Sequence, residues 1–302
     1  MAKNPNKIRE GSVVADVIFY ILAIFFAFIT LYPMYYVLIL SLSDPNAAAS
    51  MRVFFWPKGF YIDGYKNIVT DRNLWLSYRN TIFYALASCV LMLITATMCA
   101  YPLTSKALRG RKFLTFFLLI PMYFNGGIIP SFLLMQKLGF YNTPWAIILP
   151  GGVSIWYIIL IRSYYRTIGE SLREAAMIDG ASHYQIYFNL FLPNSKAIIA
   201  VIALYTIIGQ WNSWFQALIY LPNTYWQPLQ LYLRRLLILQ NASLESVMNL
   251  SAEALEEMAK EQLSNNQLKY TVIFISTLPM LVAYPFFQKY FVKGVMLGSL
   301  KE

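Results

Sequence analysis

Residues 162–193 read RSYYRTIGESLREAAMIDGASHYQIYFNLFLP, a polar stretch that separates two long apolar runs. Residues 170–176 are mostly residue types that favour helix. Gly180 follows, and glycine can end a helix by adopting either a left-handed or a tightly packed conformation. Apolar residues then return at helical spacing and predict one apolar stripe, made of Tyr184, Tyr187, Phe188 and Phe191. The stretch therefore predicts a short helix-turn-helix, with Pro193 permitting a turn into the second apolar run.

The rest of the chain has the composition of a membrane protein. Of its 302 residues, 58% are hydrophobic and 13% are charged. A helix needs roughly 20 apolar residues to cross a bilayer core. Six runs reach that length with centres free of Asp, Glu, Lys and Arg: 14–42, 80–104, 113–136, 144–163, 197–221 and 270–291. Because backbone groups in lipid must pair within their own segment, we predict an all-α, polytopic membrane protein with six transmembrane helices.

The distribution of basic residues predicts the orientation of these helices. With the N-terminus inside, 14 of the 24 basic residues fall in short inner segments: Lys3, Lys7, Arg9, Lys106, Arg109, Arg111, Lys112, Arg162, Arg166, Arg173, Lys196, Lys289, Lys293 and Lys301. Short loops carry the positive-inside signal, and long loops contribute little to it. Both termini are therefore predicted to be cytoplasmic. The net charge of +10 then reflects membrane topology rather than nucleic-acid binding.

Several kinds of chemistry are missing from the sequence. No phosphate-binding loop of the form G-x-x-x-x-G-K-[ST] occurs, and His183 is the only histidine. We therefore expect no catalytic residue, no metal and no bound cofactor on this chain. The centres of the six runs lack ionisable groups, which argues against an ion-coupled carrier. Backbone carbonyls can also bind sodium, so that alternative stays open.

The polar stretch 162–193 resembles the cytoplasmic loop of the permease subunits of ABC importers. Their pattern is Glu-Ala-Ala, three residues, Gly, nine residues, an aliphatic residue, any residue and Leu-Pro. The matching positions are Glu174, Ala175, Ala176, Gly180, Leu190, Leu192 and Pro193, and Asp179 and Ala181 match the form common in sugar permeases. The resemblance implies the type I, MetI-like permease fold. It also implies that this loop docks into a cleft of the ATPase subunit, with Glu174 as the polar anchor and Gly180 as the hinge.

The resemblance extends from about residue 76 to the end of the chain. Residues 291–301 look like the tail of MalG-like sugar permeases, in which the tail reaches the ATPase dimer interface. The residues that would serve there are Lys293, Gly294 and Gly298. Residues 121–130, PMYFNGGIIP, resemble a stretch typical of permeases for larger saccharides. The implied partners are a second homologous permease, an ATPase dimer that binds ATP and Mg, an extracellular or periplasmic solute-binding protein, and a carbohydrate.

A substrate pathway is predicted in the fifth run, where residues 210–216 read QWNSWFQ. About 15 residues of helix place this cluster roughly 22 Å above the inner side. Asn212 and Gln216 have the spacing of one helix face, and amides in lipid are costly unless they are paired or face a wet cavity. An interfacial aromatic belt would explain the tryptophans but not the amides. The candidate pathway residues are Trp211, Asn212, Trp214, Gln216 and Asn125.

These features predict how the chain is divided. A cytoplasmic arm at 1–13 precedes the first transmembrane helix and an outer segment at 14–75. A permease core at 76–291 and a cytoplasmic tail at 292–302 follow. Within the core lie a cytoplasmic coupling loop at 164–196 and an outer loop at 222–268. Arg234 and Arg235 either favour acidic saccharides or contact the binding protein. The function expected is one half of a carbohydrate import pathway in the bacterial inner or plasma membrane. A membrane scaffold or receptor without transport activity, or an ion-coupled carrier, is the alternative.

Overall fold

The computed structural model describes residues 13–245, 268–282 and 285, and within them the regular secondary structure is helical throughout. The helices are α1 (Val13–Ser41), α2 (Pro45–Ala49), α3 (Asp63–Thr70), α4 (Arg72–Thr104), α5 (Arg111–Tyr123), α6 (Ile128–Lys137), α7 (Trp145–Gly151), α8 (Ile155–Thr167), α9 (Glu170–Ile178), α10 (His183–Asn194), α11 (Lys196–Trp211), α12 (Phe215–Tyr220), α13 (Leu229–Glu245) and α14 (Leu268–Val282). Residues 186–191, within α10, form a π-helical turn. The all-α prediction agrees with these helices.

Three helical stretches are long and apolar enough to cross a membrane: Ala15–Ser41, Arg72–Thr104 and Trp145–Thr167. Two bent pairs also qualify if each is counted as one span. The pair α5 and α6 bends by 111°, and the pair α10 and α11 bends by 76°. The described part of the sixth predicted run is α14, a shorter apolar helix. Length and composition thus support up to five spans within the described residues.

The described part of the chain divides into two compact units, and one of them comprises residues 13–70, 239–245 and 268–276. In this unit α1 is followed by the short helices α2 and α3. Asp44 caps α2, because its carboxylate accepts hydrogen bonds from the backbone N–H groups of Asn46 and Ala47. A small core forms beside this cap from Ile39, Leu40, Ala48 and Val53. The polar turn after α1 is therefore an ordered structure.

The second unit, among the described residues, comprises 71–238, 277–282 and 285 and is organised around α4. Helix α4 packs against α7, α8 and α11. Ala96 and Ala100 lie one turn apart on α4 and are fully buried, so neighbouring helices can approach its backbone closely. The core around them contains Met92, Leu103, Ile158, Ile161, Tyr165, Ile186, Phe191 and Ile202. Helix α4 is thus the central support for the elements that follow it.

Proline and glycine accompany two breaks in the membrane helices. Helix α5 contains Pro121 and ends at Tyr123, and Gly127 adopts a φ of +89° before α6 begins. Helix α7 ends at Gly151, and α8 begins three residues after Gly152. The Thr95 hydroxyl of α4 donates to the Gly152 carbonyl at 2.9 Å. A neighbouring helix therefore satisfies a backbone group that the break would leave unpaired.

Close packing at the second break leads to a prediction for Gly152→Ala. A Cβ there would lie 2.4–2.7 Å from three side-chain carbons of Leu91, which cannot all move away. Overpacking of this kind typically costs about 1–3 kcal/mol. We expect a lower thermal midpoint in detergent for Gly152→Ala. Gly209→Ala on α11 is the matched control, because a Cβ there meets no atom within 4 Å. Equal midpoints for both variants would contradict the packing of α4 against the break.

Candidate functional site

The segment that joins α8 to α11 contains the Glu-Ala-Ala stretch, and its first helix ends at a glycine. After Ile178 the backbone N–H of Gly180 donates to the Met177 carbonyl, and that of Ala181 donates to the Ala176 carbonyl. This pair of bonds is the Schellman arrangement, which needs a left-handed residue. Gly180 has a φ of +78°, and a Cβ there would meet no atom within 4 Å. Of the two conformations predicted for Gly180, the left-handed one is confirmed. Glycine is favoured here because of its backbone conformation and not because a side chain would lack room.

The second helix of the segment, α10, starts at a capping box. The Ser182 hydroxyl accepts from the Gln185 backbone N–H, and the Gln185 side chain accepts from the Ser182 backbone N–H. Beyond it, Tyr187 and Phe191 are buried, whereas Tyr184 and Phe188 are exposed. The prediction that these four form one apolar stripe is therefore wrong. They form two stripes, one of Tyr184 and Phe188 and one of Tyr187 and Phe191. The members of each stripe are four residues apart and share a face, whereas residues three or seven apart point in different directions across the π-helical turn.

Five of the nine predicted coupling residues are exposed, and the other four are partly covered. Glu174, Ala175, Asp179, Gly180 and Pro193 are exposed, whereas Ala176, Ala181, Leu190 and Leu192 are half-buried. Five large apolar side chains are also exposed on the same two helices: Leu172, Met177, Ile178, Tyr184 and Phe188. Ile178 is 86% exposed, an unusual state for isoleucine. Several exposed large apolar side chains on one helix pair favour a contact site for another protein.

The turn into the second apolar run was predicted at Pro193, but the structure places it two residues later, at Ser195. Pro193 remains inside α10, and the 76° bend falls between Asn194 and Lys196. Ser195 at the bend is buried, and its hydroxyl donates to the Phe191 carbonyl. The Tyr164 hydroxyl donates to the Asn194 carbonyl at 3.2 Å, which ties the end of α10 to α8. The bend is therefore stabilised from two sides.

An ion-pair network at the start of α9 was missed in the sequence. Arg173 is only 7% exposed, and its guanidinium lies 2.8 Å from the Glu170 carboxylate. The Lys106 ammonium contacts the same carboxylate at 2.7 Å. Its hydrogen bond lowers the pKa of Glu170 below the ordinary value, with a smaller effect of Arg173. The i,i+3 spacing of Glu170 and Arg173 was the available signal. The network joins α9 to the loop after α4.

The predicted pathway cluster lies at a helix break, which changes its geometry. Helix α11 ends at Trp211 and α12 begins at Phe215. The prediction that Asn212 and Gln216 share one helix face is therefore wrong. The Asn212 side-chain amide donates to the Ile208 carbonyl at 2.9 Å, and the Asn212 backbone N–H donates to the same carbonyl at the end of α11.

The side chains of the cluster differ in their surroundings. Trp211 is buried with its ring edge against Tyr78, and Gln216 is half-buried. The guanidinium carbon of Arg234 lies 3.6 Å from the centre of the Trp214 ring. Asn125 is exposed in the connection between α5 and α6, where its side chain accepts from the Gly127 N–H. The structure thus groups Trp211, Asn212, Trp214 and Gln216 at one break and places Asn125 at another.

Gln210 was also missed as a candidate. Its side-chain oxygen is buried and has no hydrogen-bond partner within the described part of the chain, and its amide nitrogen lies against Gly151. The predicted tail residues Lys293, Gly294 and Gly298 lie outside the described residues. So does most of the predicted outer loop, from residue 246 to residue 267.

Broken apolar helices around a central span, with an exposed helix pair between two of them, define the class of membrane transport permeases. Residues 92–297 match the family described as binding-protein-dependent transport system inner membrane component. The chain belongs to this family. Its fold is therefore the MetI-like permease fold, as the sequence predicted.

Two curated relatives and one solved structure resemble nearly the whole chain. Protein LplC of Bacillus subtilis (strain 168) is 34% identical over 273 residues, which cover 90% of both chains. The polygalacturonan/rhamnogalacturonan transport system permease protein YtcP of the same organism is 30% identical, with 95% of this chain and 98% of YtcP covered. The crystal structure of a bacterial ABC transporter involved in the import of the acidic polysaccharide alginate contains a chain that is 32% identical to this one, with a TM-score of 0.80. The match covers 92% of this chain and 96% of that chain.

These similarities settle the general role of the chain. It is an inner-membrane permease component of an ABC importer, and it is a transport component rather than an enzyme. ATP hydrolysis belongs to a separate subunit. The prediction of an importer permease is confirmed, and the scaffold and ion-coupled alternatives have no support.

The ion-pair network leads to a prediction for Glu170→Gln. Loss of the carboxylate leaves the buried charge of Arg173 without its partner, which is costly. We expect faster amide hydrogen exchange in residues 171–178. Lys106→Gln removes only an exposed partner and should have a smaller effect. Because the folded pKa of Glu170 is lowered, its stabilisation holds above about pH 4.3 and is lost as pH falls through the lowered value. A larger effect of Lys106→Gln would contradict this assignment.

Proposed function

We propose that this chain forms one half of the translocation pathway of an importer for oligosaccharides. In this proposal it crosses the membrane six times, with both termini in the cytoplasm. The concentration of basic residues in the short segments of one side supports that orientation. The segment with α9 and α10 then lies on the cytoplasmic side, where an ATPase can reach it.

Within that orientation, α9 and α10 form the coupling element. The observation that carries this assignment is the exposed apolar surface of the two helices, together with the exposed Glu174. Glu174 forms no ion pair with any residue in the described ranges, so its carboxylate is available to a basic group of a partner. Closure of an ATPase dimer around ATP and Mg would move α9 and α10, and the bend at Ser195 would pass that movement to α11.

The remaining partners follow from the same arrangement. A second homologous permease would complete the pathway, and an extracellular or periplasmic solute-binding protein would deliver the substrate to the outer side. The long outer loop from residue 222 is the proposed contact for that protein. The tail with Lys293, Gly294 and Gly298 is the proposed second contact to the ATPase dimer.

The substrate class is proposed to be an acidic oligosaccharide. Two relatives support it by name, one for polygalacturonan and rhamnogalacturonan and one for alginate. Trp214 with Arg234 stacked on its ring supports it from the structure. An aromatic face suits a sugar ring, and a guanidinium binds a carboxylate through charge-assisted hydrogen bonds. Asn212 and Gln216 near this pair provide side-chain amides that can hydrogen-bond to sugar hydroxyls. Trp211 would stabilise the helix break by packing against Tyr78.

The coupling assignment predicts the effect of Gly180→Leu. Its side chain has room, but the left-handed conformation costs a leucine about 1–2 kcal/mol. We expect loss of ATPase co-purification and of saccharide uptake. Gly180→Asn is the control, because asparagine tolerates this conformation and should retain most of both. Glu174→Lys should also lose both, by reversing the charge of the anchor. Uptake and ATPase binding that persist in Gly180→Leu and Glu174→Lys would refute the coupling role.

The substrate assignment predicts a selective effect of Arg234→Gln. Uptake of a uronic-acid oligosaccharide into proteoliposomes that contain the complete importer should fall about tenfold, as expected for a lost charge-assisted hydrogen bond. Uptake of a neutral oligosaccharide of equal length should change little. Trp214→Ala should reduce both, since it removes the stacking surface. Equal effects of Arg234→Gln on the acidic and the neutral saccharide would contradict recognition of the carboxylate.

A further inference from the structure

A cavity of about 260 Å³ lies between the base of α9 and the ends of three membrane helices, and the coupling role does not use it. It is lined by Thr104, Lys106, Arg111, Tyr165, Arg166, Gly169, Glu170, Arg173 and Phe191. Thr104 ends α4, Arg111 begins α5, and Arg166 is in the last turn of α8. The cavity is therefore level with the ends of three candidate spans, where lipid headgroups lie.

The lining of the cavity is strongly basic. Four cationic side chains face one carboxylate, so the lining carries three net positive charges. The carboxylate of Glu170 is already shared between Lys106 and Arg173. Neither Arg111 nor Arg166 has an ion pair among the described residues. Unpaired positive charge gathered at one cavity favours an anionic ligand.

Two helix N-termini add to this preference. Helix α5 begins at Arg111 and α9 begins at Glu170, and both residues line the cavity. Neither helix has a side-chain cap on its first N–H groups. The N-terminus of a helix carries a partial positive charge and free N–H donors, which suit a phosphate.

Two buried polar atoms in the lining lack partners. Arg173 is 7% exposed, and its Nε has no hydrogen-bond partner within the described chain. Tyr165 is 1% exposed, and its hydroxyl has none either. An unpaired buried donor costs about 1–3 kcal/mol, so such donors are rarely left without a function. An anion in the cavity would give both of them an acceptor.

We propose that this cavity binds a phosphate group, carried by the headgroup of an anionic phospholipid of the cytoplasmic leaflet. Arg111 and Arg166 provide the charge, while the Tyr165 hydroxyl and the Arg173 Nε donate hydrogen bonds from the inner wall. The bound headgroup would link the base of α9 to the ends of α4, α5 and α8. Binding would therefore stiffen the connection between the coupling element and the membrane helices.

The test compares two variants of the complete importer, purified with its partner subunits. Arg111→Gln combined with Arg166→Gln removes both unpaired charges. Arg109→Gln with Lys112→Gln is the matched control, since it removes equal charge from the same region without touching the cavity. The measurement is native mass spectrometry of the phosphatidylglycerol that each complex retains after delipidation. We expect phosphatidylglycerol to bind about tenfold more weakly to the Arg111→Gln, Arg166→Gln variant. Its binding to the control variant should equal that of the wild type. Raised salt should weaken binding to the wild type.

Tyr165→Phe tests the same site with minimal disturbance of the fold. It removes only an unpartnered buried hydroxyl, so the variant should be no less stable than the wild type. We expect its affinity for phosphatidylglycerol to fall severalfold. Inorganic phosphate distinguishes the source of the group. A site for free phosphate would give a different result. Inorganic phosphate would then raise the thermal midpoint of the delipidated wild type but not that of the Arg111→Gln, Arg166→Gln variant, and both proteins would retain equal amounts of lipid. If neither probe separates the cavity variants from the control, the proposal is wrong.

Discussion

The pairing of backbone groups at membrane depth is the constraint on which the rest of the structure depends. Lipid offers no hydrogen bonds, so each interruption of a helix needs a partner from elsewhere in the protein. The break after Gly151 has that partner in the Thr95 hydroxyl, and the bend before α11 has one in the Tyr164 hydroxyl. Small buried residues on α4 let neighbouring helices approach closely enough for such contacts. The break after Gly151 is therefore supported by this central helix.

The same reasoning governs charge at the edge of the membrane. Arg173 is buried although it belongs to a polar segment, and the Glu170 carboxylate compensates its charge. Lys106 holds that carboxylate from the loop after α4. The base of α9 is thus fixed to the membrane helices by electrostatics, whereas its far end is exposed and apolar. One end of α9 is anchored in the permease, and the other is left open for a partner.

Much of the fold follows from the sequence because its signals are local. Apolar length predicts the helices, and Gly180 predicts the end of α9. The errors arise at a helix break and at a contact between helices. Asn212 and Gln216 were assigned to one helix face, but α11 ends at Trp211 and a new helix begins at Phe215. Tyr187 was assigned to one stripe with Tyr184, but Tyr187 is buried, with its hydroxyl in contact with Thr97 on α4. Neither the break nor the Thr97 contact is visible in the spacing of residues along the chain.

The proposed coupling role depends on where the two helices are held. Helix α9 has an ion-paired base, a regular body of nine residues and a single left-handed residue after its end. Helix α10 continues through a π-helical turn into α11, where the Ser195 hydroxyl donates to the Phe191 carbonyl at the bend. If α9 and α10 bind an ATPase as proposed, displacement of α10 would pass to α11 through this bend.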